Sequence, residues 1–464
     1  MVVLGLALLS VAIVRPGPVE EWLGGARPTP PPVTWTGSPA VPVLAGAGRD
    51  APAPTAAGVA AALDPLITDR RLGSRVLLSV VDVASGEVLY ARDPDGSATP
   101  ASVTKVVTAV TVLAARGPGY RLDTRAVAGA NPGEVVLVGG GDPTLAAGPT
   151  GSYPGAARLD DLAAKVKQAL GGTAPSKVIV DTSLFSGPPL GPNWDSDIVP
   201  GGYGSATVAL MTDGARVDPK DVTERAKRHQ RPDIAAGQAF AKALGLPTSA
   251  VSAGQAPAPP ANGASPEPAA SPVPGTELGR VESPPLITLV EIMLERSDNV
   301  LAEALARQVA LAKGQPASYE GAAAAMDAVL AELGLPDEEN GLVDGSGLSR
   351  ANRLTPSLLT DLFTVAARAD RPELRGIFSG MPVAGYSGTL ARRYGTAEPT
   401  RPGAGVVRAK TGTLSGVNTL AGIVTTQEGR LLAFAVLADK TPGGRGPEAA
   451  LDAIATALAR CGCR

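Results

Sequence analysis

The chain has 464 residues, of which 44% are hydrophobic and 18% are charged, and its formal net charge is −3. This length allows two or three domains with apolar cores, and without a basic excess we expect no nucleic-acid partner. The single histidine, His229, lies in a polar run and is predicted to be a solvated surface residue. It argues against a Ser-His-Asp triad and excludes a multi-histidine metal site, so we predict neither a metal nor a cofactor.

The N-terminal segment has the character of an export signal. Residues 2–14 form an apolar run without charge, and a proline-rich stretch follows from 27 to 54. The run is shorter than the roughly 20 residues of a membrane-spanning helix but fits the apolar core of a signal peptide. We predict a signal peptide or membrane anchor at 1–23 and a proline-rich linker at 24–56. The protein is then extracytoplasmic, secreted or anchored in the cell envelope; a buried core helix is the alternative.

The first regular elements after the linker lead to a serine and a lysine. Residues 76–83 and 88–90 predict two β-strands joined by a turn. Apolar residues with helical spacing then predict a helix that stops at Gly117. Ser102 lies in the first turn of this helix, and Lys105, three residues on, leaves the same face.

This Ser-x-x-Lys pair is suited to covalent catalysis. A serine hydroxyl is a weak nucleophile until a neighbour takes its proton, and a lysine can do so when burial or a nearby cation lowers its pKa. The start of the helix also supplies free backbone N–H groups near Ser102 that could face an oxyanion. Alone the pattern is weak, because helices often begin with serine and carry a solvated lysine one turn later.

A second polar motif, Ser297-Asp298-Asn299, lies between two helical patterns. Residues 286–296 before it carry an apolar stripe, and the helical pattern resumes at Val300. A hydroxyl and a carboxamide two residues apart can share a proton relay and hold a peptide backbone. The alternative is an ordinary polar turn between helices.

A third motif, Lys410-Thr411-Gly412-Thr413, continues a predicted strand, and two more strands follow it. Gly412 permits the close approach of a substrate backbone, and Lys410 with the flanking hydroxyls suits a carboxylate. The alternative is a solvated lysine on an edge strand.

Together and in this order, the three motifs form a signature specific for penicillin-binding proteins and serine β-lactamases. Over about residues 57–460 the chain resembles the low-molecular-weight class C penicillin-binding proteins, the D-alanyl-D-alanine carboxypeptidase/endopeptidase family (S13-like peptidases). Three further segments, 136–145, 344–350 and 388–390, are similar to stretches of that subfamily. Read without the family, each is a glycine-rich turn to which we assign no chemistry.

The resemblance implies an α/β (α+β) fold of the β-lactamase/transpeptidase type, an antiparallel sheet flanked by helices. The first two motifs are further apart than that fold needs, which implies a large inserted region after the nucleophile helix, at 117–279. The insertion contains a predicted strand at 176–181 and a proline-rich segment at 256–275, expected to be a mobile loop or linker. The catalytic domain then combines 57–116 with 280–460.

The C-terminal end predicts one more helix and contains both cysteines. Residues 447–459 are expected to form a helix beside the N-terminal one. Cys461 and Cys463 follow, and we interpret them as exposed thiols. A strained bond between them and a bond to another molecule are the alternatives.

The resemblance also implies catalytic roles. Ser102 attacks the carbonyl of the penultimate D-Ala and forms an ester, Lys105 accepts its proton, and Ser297 helps to pass a proton to the leaving amine. The backbone N–H groups of Ser102 and Thr413 form the oxyanion hole. We expect Lys410 and burial to depress the pKa of Lys105.

For substrate binding, the resemblance implies that Asn299 holds the substrate amide and Lys410 supplies a positive field. Thr411 and Thr413, on either side of Gly412, contact the terminal carboxylate. The expected partners are peptidoglycan stem peptides, with β-lactam antibiotics as inhibitors. Asp298 fits the family pattern but receives no role, and the sequence contains no indication of oligomeric state.

Two other functions are alternatives. A serine β-lactamase of class A needs a further glutamate in a Glu-x-x-Leu-Asn context. Glu338-Glu339-Asn340 has the wrong spacing, and the large insertion also argues against it. A non-catalytic envelope binding protein would be expected to have lost at least one motif residue. The balance between carboxypeptidase and endopeptidase action stays open, because both would use the same site.

Overall fold

The computed structural model describes residues 50–260, 272–335, 341–395, 400–442 and 446–462. The predicted signal peptide or anchor at 1–23 and the linker up to residue 49 lie outside these ranges. Within them, none of the helices combines the length and the apolar character that crossing a membrane requires.

Strands and helices alternate along the described chain. The strands are β1 (Val76–Asp82), β2 (Val88–Arg92), β3 (Asp123–Ala128), β4 (Glu134–Val138), β5 (Lys177–Asp181), β6 (Val251–Ala253), β7 (Glu277–Glu282), β8 (Val407–Leu414), β9 (Val417–Thr425) and β10 (Leu431–Ala438). The helices are α1 (Ala56–Ile67), α2 (Thr104–Arg116), α3 (Leu159–Ala169), α4 (Pro232–Leu244), α5 (Leu286–Arg296), α6 (Asn299–Ala312), α7 (Tyr319–Glu332), α8 (Pro356–Ala367), α9 (Gly376–Gly380) and α10 (Gly446–Ala459).

One sheet is five-stranded and antiparallel, in the order β2-β1-β10-β9-β8. All seven residues of β1 are buried, because the sheet has helices on both faces. Leu77 packs in a core with α2 and α5 to α8, whereas Leu78 packs with α1 and α10 on the other face. The predicted fold, an antiparallel sheet flanked by helices, is confirmed.

A second sheet follows α2 in the chain, in the order β6-β5-β4-β3-β7. Its strands β4, β5 and β6 run parallel, and helices α3 and α4 pack on it around Leu137 and Phe240. This is the predicted inserted region, and the strand predicted at 176–181 is β5. The domain boundaries themselves stay a prediction.

The proline-rich segment and the C-terminal end can also be compared with their predictions. In the proline-rich segment, residues 256–260 and 272–275 form neither helix nor strand, and residues 261–271 lie outside the described chain. At the C-terminus, α10 packs against α1 as predicted. The prediction of exposed thiols is wrong for Cys461, which is buried in this core and is not a free thiol; Cys463 lies outside the described residues.

Candidate active site

Ser102, the predicted nucleophile, lies on a strained turn. Ser102 is half-buried in a 3-10 turn, Ala101–Val103, that leads directly into α2. Ala101 has φ of 49°, a left-handed conformation that residues other than glycine seldom adopt outside functional sites. The turn therefore presents the Ser102 hydroxyl at the start of a buried helix, as the sequence predicts.

Gly412 brings β8 against this turn. A Cβ atom at Gly412 would lie 2.6 Å from the backbone oxygen of Pro100 and 3.1 Å from the Cβ of Ala101. The sequence interpretation gave Gly412 to the approach of a substrate backbone. That interpretation stays a prediction; in the structure, the missing side chain also lets the third motif approach the Ala101–Val103 turn.

Lys105 is fully buried beside Ser102. Its Nζ lies 3.0 Å from Ser102 Oγ, 2.5 Å from Asn299 Oδ1 and 2.7 Å from the backbone oxygen of Ser346. The last two oxygens can only accept hydrogen bonds. A neutral amine would donate its two N–H groups to them, which directs its lone pair at the Ser102 hydroxyl.

Burial governs the protonation of both active-site lysines. It lowers the pKa of Lys105 to about 8, although the carboxylates of Asp344 and Glu303 act in the opposite direction. Burial also holds the pKa of Lys410 well below its usual value, and the charge of Lys105 lowers it further. Burial is thus the larger cause for both lysines, and the repulsion between them disfavours a state in which both are charged.

The second motif joins two helices through a left-handed residue. Helix α5 ends at Arg296 and is capped by Ser297, whose φ is 55°, and α6 begins at Asn299. The Nζ of Lys410 donates to Ser297 Oγ at 2.9 Å and to the backbone oxygen of Thr411 at 2.9 Å. Asn299 bridges two parts of the chain, since its Nδ2 donates to the backbone oxygen of Tyr203 at 2.9 Å.

Asp298 anchors this junction to the inserted region. Its carboxylate caps α6 through the Leu301 N–H at 3.0 Å, accepts from the Tyr153 hydroxyl at 2.7 Å and lies 3.4 Å from the Arg216 guanidinium. Burial raises the pKa of Asp298, but the Arg216 and Arg228 guanidiniums and the hydrogen bonds outweigh it and hold the pKa at about 2. Asp298 is therefore an ionised residue that fixes the positions of its two neighbours.

The third motif lies on the edge strand β8. At the start of β8 the N–H of Ala409 donates to the Pro382 oxygen, on the side away from β9. Alternate residues of a strand direct their N–H groups to the same side, so those of Thr411 and Thr413 also point away from β9. The Thr411 hydroxyl lies 2.8 Å from that of Thr389. Every predicted site residue thus lies in one region, where β8 meets the Ala101–Val103 turn.

Sequence reasoning missed one backbone group of the site, the carbonyl of Ser346. The stretch 344–350 was interpreted as a turn without chemistry, yet the Ser346 carbonyl is a partner of Lys105. Asp344 holds that stretch by accepting from the N–H groups of Gly347 and Ser349, both at 2.7 Å, and from Trp194 Nε1 at 2.8 Å. The similarity of 344–350 to the family was the only signal for it.

The remaining predictions concern metals and His229. Among the residues that the structure describes, no group of His, Cys, Asp and Glu side chains is arranged to hold a metal ion. His229 is half-buried, so it is less solvated than the sequence analysis predicts, and burial lowers its pKa.

Comparison with known proteins identifies the family. The model of the D-Ala-D-Ala carboxypeptidase 3 (S13) family matches residues 59–257 and 222–460. A carboxypeptidase of Mycobacterium tuberculosis is 40% identical over 474 aligned residues, which cover 100% of this chain and 97% of that protein. The carboxypeptidase DacB of Mycolicibacterium smegmatis is 38% identical, and the alignment covers 99% of this chain and 95% of that protein.

Solved structures share the fold. The crystal structure of penicillin binding protein 4 from Haemophilus influenzae matches with a TM-score of 0.68 at 22% identity, over 86% of this chain and 97% of that one. The same protein complexed with a β-lactam matches with a TM-score of 0.63 at 21% identity, over 85% of this chain and 97% of that one. The family, fold class and serine-type D-Ala-D-Ala carboxypeptidase function predicted from the sequence are confirmed, and the chain belongs to the D-Ala-D-Ala carboxypeptidase 3 (S13) family.

Proposed function

We propose that the chain removes the terminal D-Ala from peptidoglycan stem peptides, outside the cytoplasm, through an acyl-enzyme on Ser102. The geometry of Lys105 carries the proposal, since its Nζ lies 3.0 Å from the Ser102 hydroxyl. Ser102 Oγ forms a bond to the carbonyl carbon of the penultimate D-Ala while its proton passes to Lys105. The tetrahedral intermediate then collapses, and the peptide bond to the last D-Ala breaks.

The leaving amine needs a proton, which Ser297 is placed to deliver. Its hydroxyl accepts from Lys410 Nζ at 2.9 Å, so a proton passed on to the amine can be replaced from Lys410. Lys105 then releases to solvent the proton that it took from Ser102, and Lys410 takes one up, so both lysines return to their starting states. Water attacks the ester with Lys105 as the base, and the proton taken from water passes to Ser102 Oγ as the ester bond breaks. The net reaction adds one water across the peptide bond and leaves the enzyme unchanged.

Asn299 keeps one donor for the substrate. A carboxamide nitrogen carries two N–H groups, and one of them donates to the Tyr203 oxygen. The other is available for the carbonyl of the substrate amide. The N–H groups of Thr413 and of Ser102, at the helix start where intrahelical partners are lacking, are suited to the oxyanion.

The substrate carboxylate is expected to change the charge of Lys410. In the free enzyme, burial and the charge of Lys105 lower the pKa of Lys410, which favours its neutral form. A carboxylate bound beside Thr411 and Thr413 would favour the ammonium form instead. A bound substrate with a free terminal carboxylate would therefore strengthen the positive field that Lys410 supplies.

The site of action and the inhibitors belong to the same proposal. Peptidoglycan lies outside the cytoplasm, in keeping with the predicted export signal at 1–23, and either cleavage or retention as an anchor is compatible with it. β-Lactam antibiotics are expected to acylate Ser102 in the same way. The structurally similar protein of Haemophilus influenzae has been solved with a β-lactam bound.

Intact-protein mass spectrometry after brief exposure to benzylpenicillin tests the acyl-enzyme. We expect one adduct, located on the peptide that contains Ser102, and release of free D-Ala from a synthetic stem peptide ending in D-Ala-D-Ala. Loss of the antibiotic without an adduct would favour a β-lactamase instead. Intact antibiotic with neither an adduct nor release of D-Ala would favour a non-catalytic binding protein, and cleavage of a cross-linked dimer would add endopeptidase activity.

Acylation is expected to accelerate as the pH rises through about 8. The pKa of Lys105 is lowered to about 8, so the amine becomes the neutral base above that pH. The measurement is the second-order rate constant for acylation by benzylpenicillin across a series of buffers. A rate that stays constant between about pH 6 and pH 10 would contradict the role of Lys105 as the base.

A further inference from the structure

A buried carboxylate lies behind the catalytic lysine. Glu303 is 1% exposed on α6, four residues after Asn299 and therefore on the same face of that helix. Its Oε1 accepts from the N–H of Ser346 at 2.8 Å, and its Oε2 accepts from the N–H of Gly345 at 3.3 Å. The motifs do not include Glu303, and it touches neither Ser102 nor the edge strand.

Glu303 is linked to Lys105 through one residue, Ser346. Ser346, whose N–H group Glu303 binds, is the residue whose carbonyl accepts from Lys105 Nζ at 2.7 Å. The loop is held from its other side by Thr108 Oγ1, which donates to the Gly345 oxygen at 2.7 Å. Gly345 has to be glycine here, because a Cβ atom would lie 2.5 Å from the Cβ of Ala306.

We propose that Glu303 is a positioning residue for acylation, which holds the Ser346 carbonyl against Lys105 and adds a negative charge that opposes loss of the lysine proton. The inference rests on the proposed role of Lys105 as the base. Glu303 would set both where the amine points and the pH at which it becomes the base.

The charged and titratable groups around Glu303 come from four elements. Arg307 on α6 lies 3.7 Å from its carboxylate, and that guanidinium stacks on Tyr319 of α7 at 4.1 Å from the ring centre. The charge of Asp344, in the loop, raises the pKa of Glu303, and the charge of Glu303 raises that of Lys105 on α2. Burial and Asp344 raise the pKa of Glu303 to about 7.

This environment produces a signature that a purely structural residue would lack. The Glu303 carboxylate opposes the loss of the Lys105 proton, and the Arg307 guanidinium 3.7 Å away favours the ionised form of that carboxylate. A negative charge nearby favours the ammonium form. A glutamine at this position removes the charge and keeps one acceptor oxygen for the Ser346 N–H, so the pKa of Lys105 should fall.

The test is the pH profile of acylation by benzylpenicillin in three variants of the full chain. In Glu303→Gln the rising limb is expected to move to lower pH by at least about half a unit, since one opposing charge is lost. In Glu303→Asp the charge stays but the reach is shorter, so the limb should stay in place while the plateau falls at least about threefold. Glu332→Gln, on the exposed surface of α7 and paired with Lys313, is the matched control and should change neither.

The outcomes distinguish a failure of the role proposed for Glu303 from a failure of the proposed acyl-enzyme function. A limb of Glu303→Gln that coincides with that of the wild type overturns the charge effect, and an undiminished plateau in Glu303→Asp overturns the positioning. If the Gln variant does not fold, the Asp plateau alone decides. A wild-type enzyme that forms no adduct at any pH instead contradicts the acyl-enzyme, whatever the variants do.

Discussion

Replacing Lys105 by methionine is expected to lower the rate of acylation by benzylpenicillin by about 100- to 10,000-fold, which is the usual contribution of general-base assistance. Methionine fills the same buried space but has no group that can take the Ser102 proton. It also leaves the Asn299 Oδ1 and the Ser346 carbonyl without their donor, which costs about 1–3 kcal/mol for each buried acceptor.

The measurement is the rate of adduct formation by mass spectrometry, with the midpoint of thermal unfolding as the check on folding. Ser102→Ala, which should form no adduct at all, sets the floor. Lys313→Met, which changes a surface lysine paired with Glu332, is the control and should react at the wild-type rate. A loss of less than tenfold in a folded Lys105→Met protein would show that another group accepts the proton.

Replacing Asp298 by alanine is expected to destabilise the fold by about 3–5 kcal/mol, the cost of breaking a buried ion pair from one side. The side chains of Asp298 and Arg216 are 3% and 4% exposed, so water cannot replace the lost partner. The cap of α6 and the bond from Tyr153 are lost as well. Thermal unfolding of the purified variant measures the effect, and acylation should slow because Ser297 and Asn299 flank the same position.

Two comparisons make this prediction specific. Asp69 also caps a helical turn and pairs with an arginine, but at the surface, where the side chain of Arg71 is 51% exposed. Asp69→Ala should therefore cost no more than about 1 kcal/mol. The double variant Asp298→Asn with Arg216→Met should be more stable than Asp298→Asn alone, since it removes the unpaired buried charge. Strictly additive losses would contradict the ion-pair explanation.

The same carboxylate links stability to pH. Its folded pKa of about 2 lies below the ordinary value of 3.8, so its contribution is fully present above about pH 4 and is lost as the pH falls through 2. In the wild type this amounts to about 2 kcal/mol. The Asp298→Ala variant should lack this part of the acid-induced loss of stability.

Sequence patterns were informative wherever the signal was local. Apolar spacing predicted α2 with its stop, and the helix does end at a Gly117 cap. The interruption at Ser297 is a left-handed helix end, and the lysine of the third motif lies on a strand with two strands after it. Each of these features depends on neighbouring residues, which a single sequence contains.

The rest depends on residues far apart in the chain. The Ser346 oxygen is 241 positions from Lys105, and since every residue has a carbonyl, no side chain marks it. Asp298 receives its role from Tyr153 and Arg216 in the inserted region. The need for glycine at 412 comes from the Pro100 backbone, and the effect of one lysine on the other depends on burial that composition does not reveal.

The pairing of β1 with β10 has a consequence for folding of the nascent chain. Val76 pairs with Ala438, whereas all strands of the second sheet lie between Asp123 and Glu282. During synthesis from the N-terminus, the strands of the second sheet can therefore pair before β10 has been made. Until then, one edge of β1 has no strand to pair with. Because pairing between distant segments is slow and exposes strand edges, the nascent chain is most vulnerable to aggregation in this interval. Lys410 also arrives late, so catalytic competence is the last property that the chain acquires.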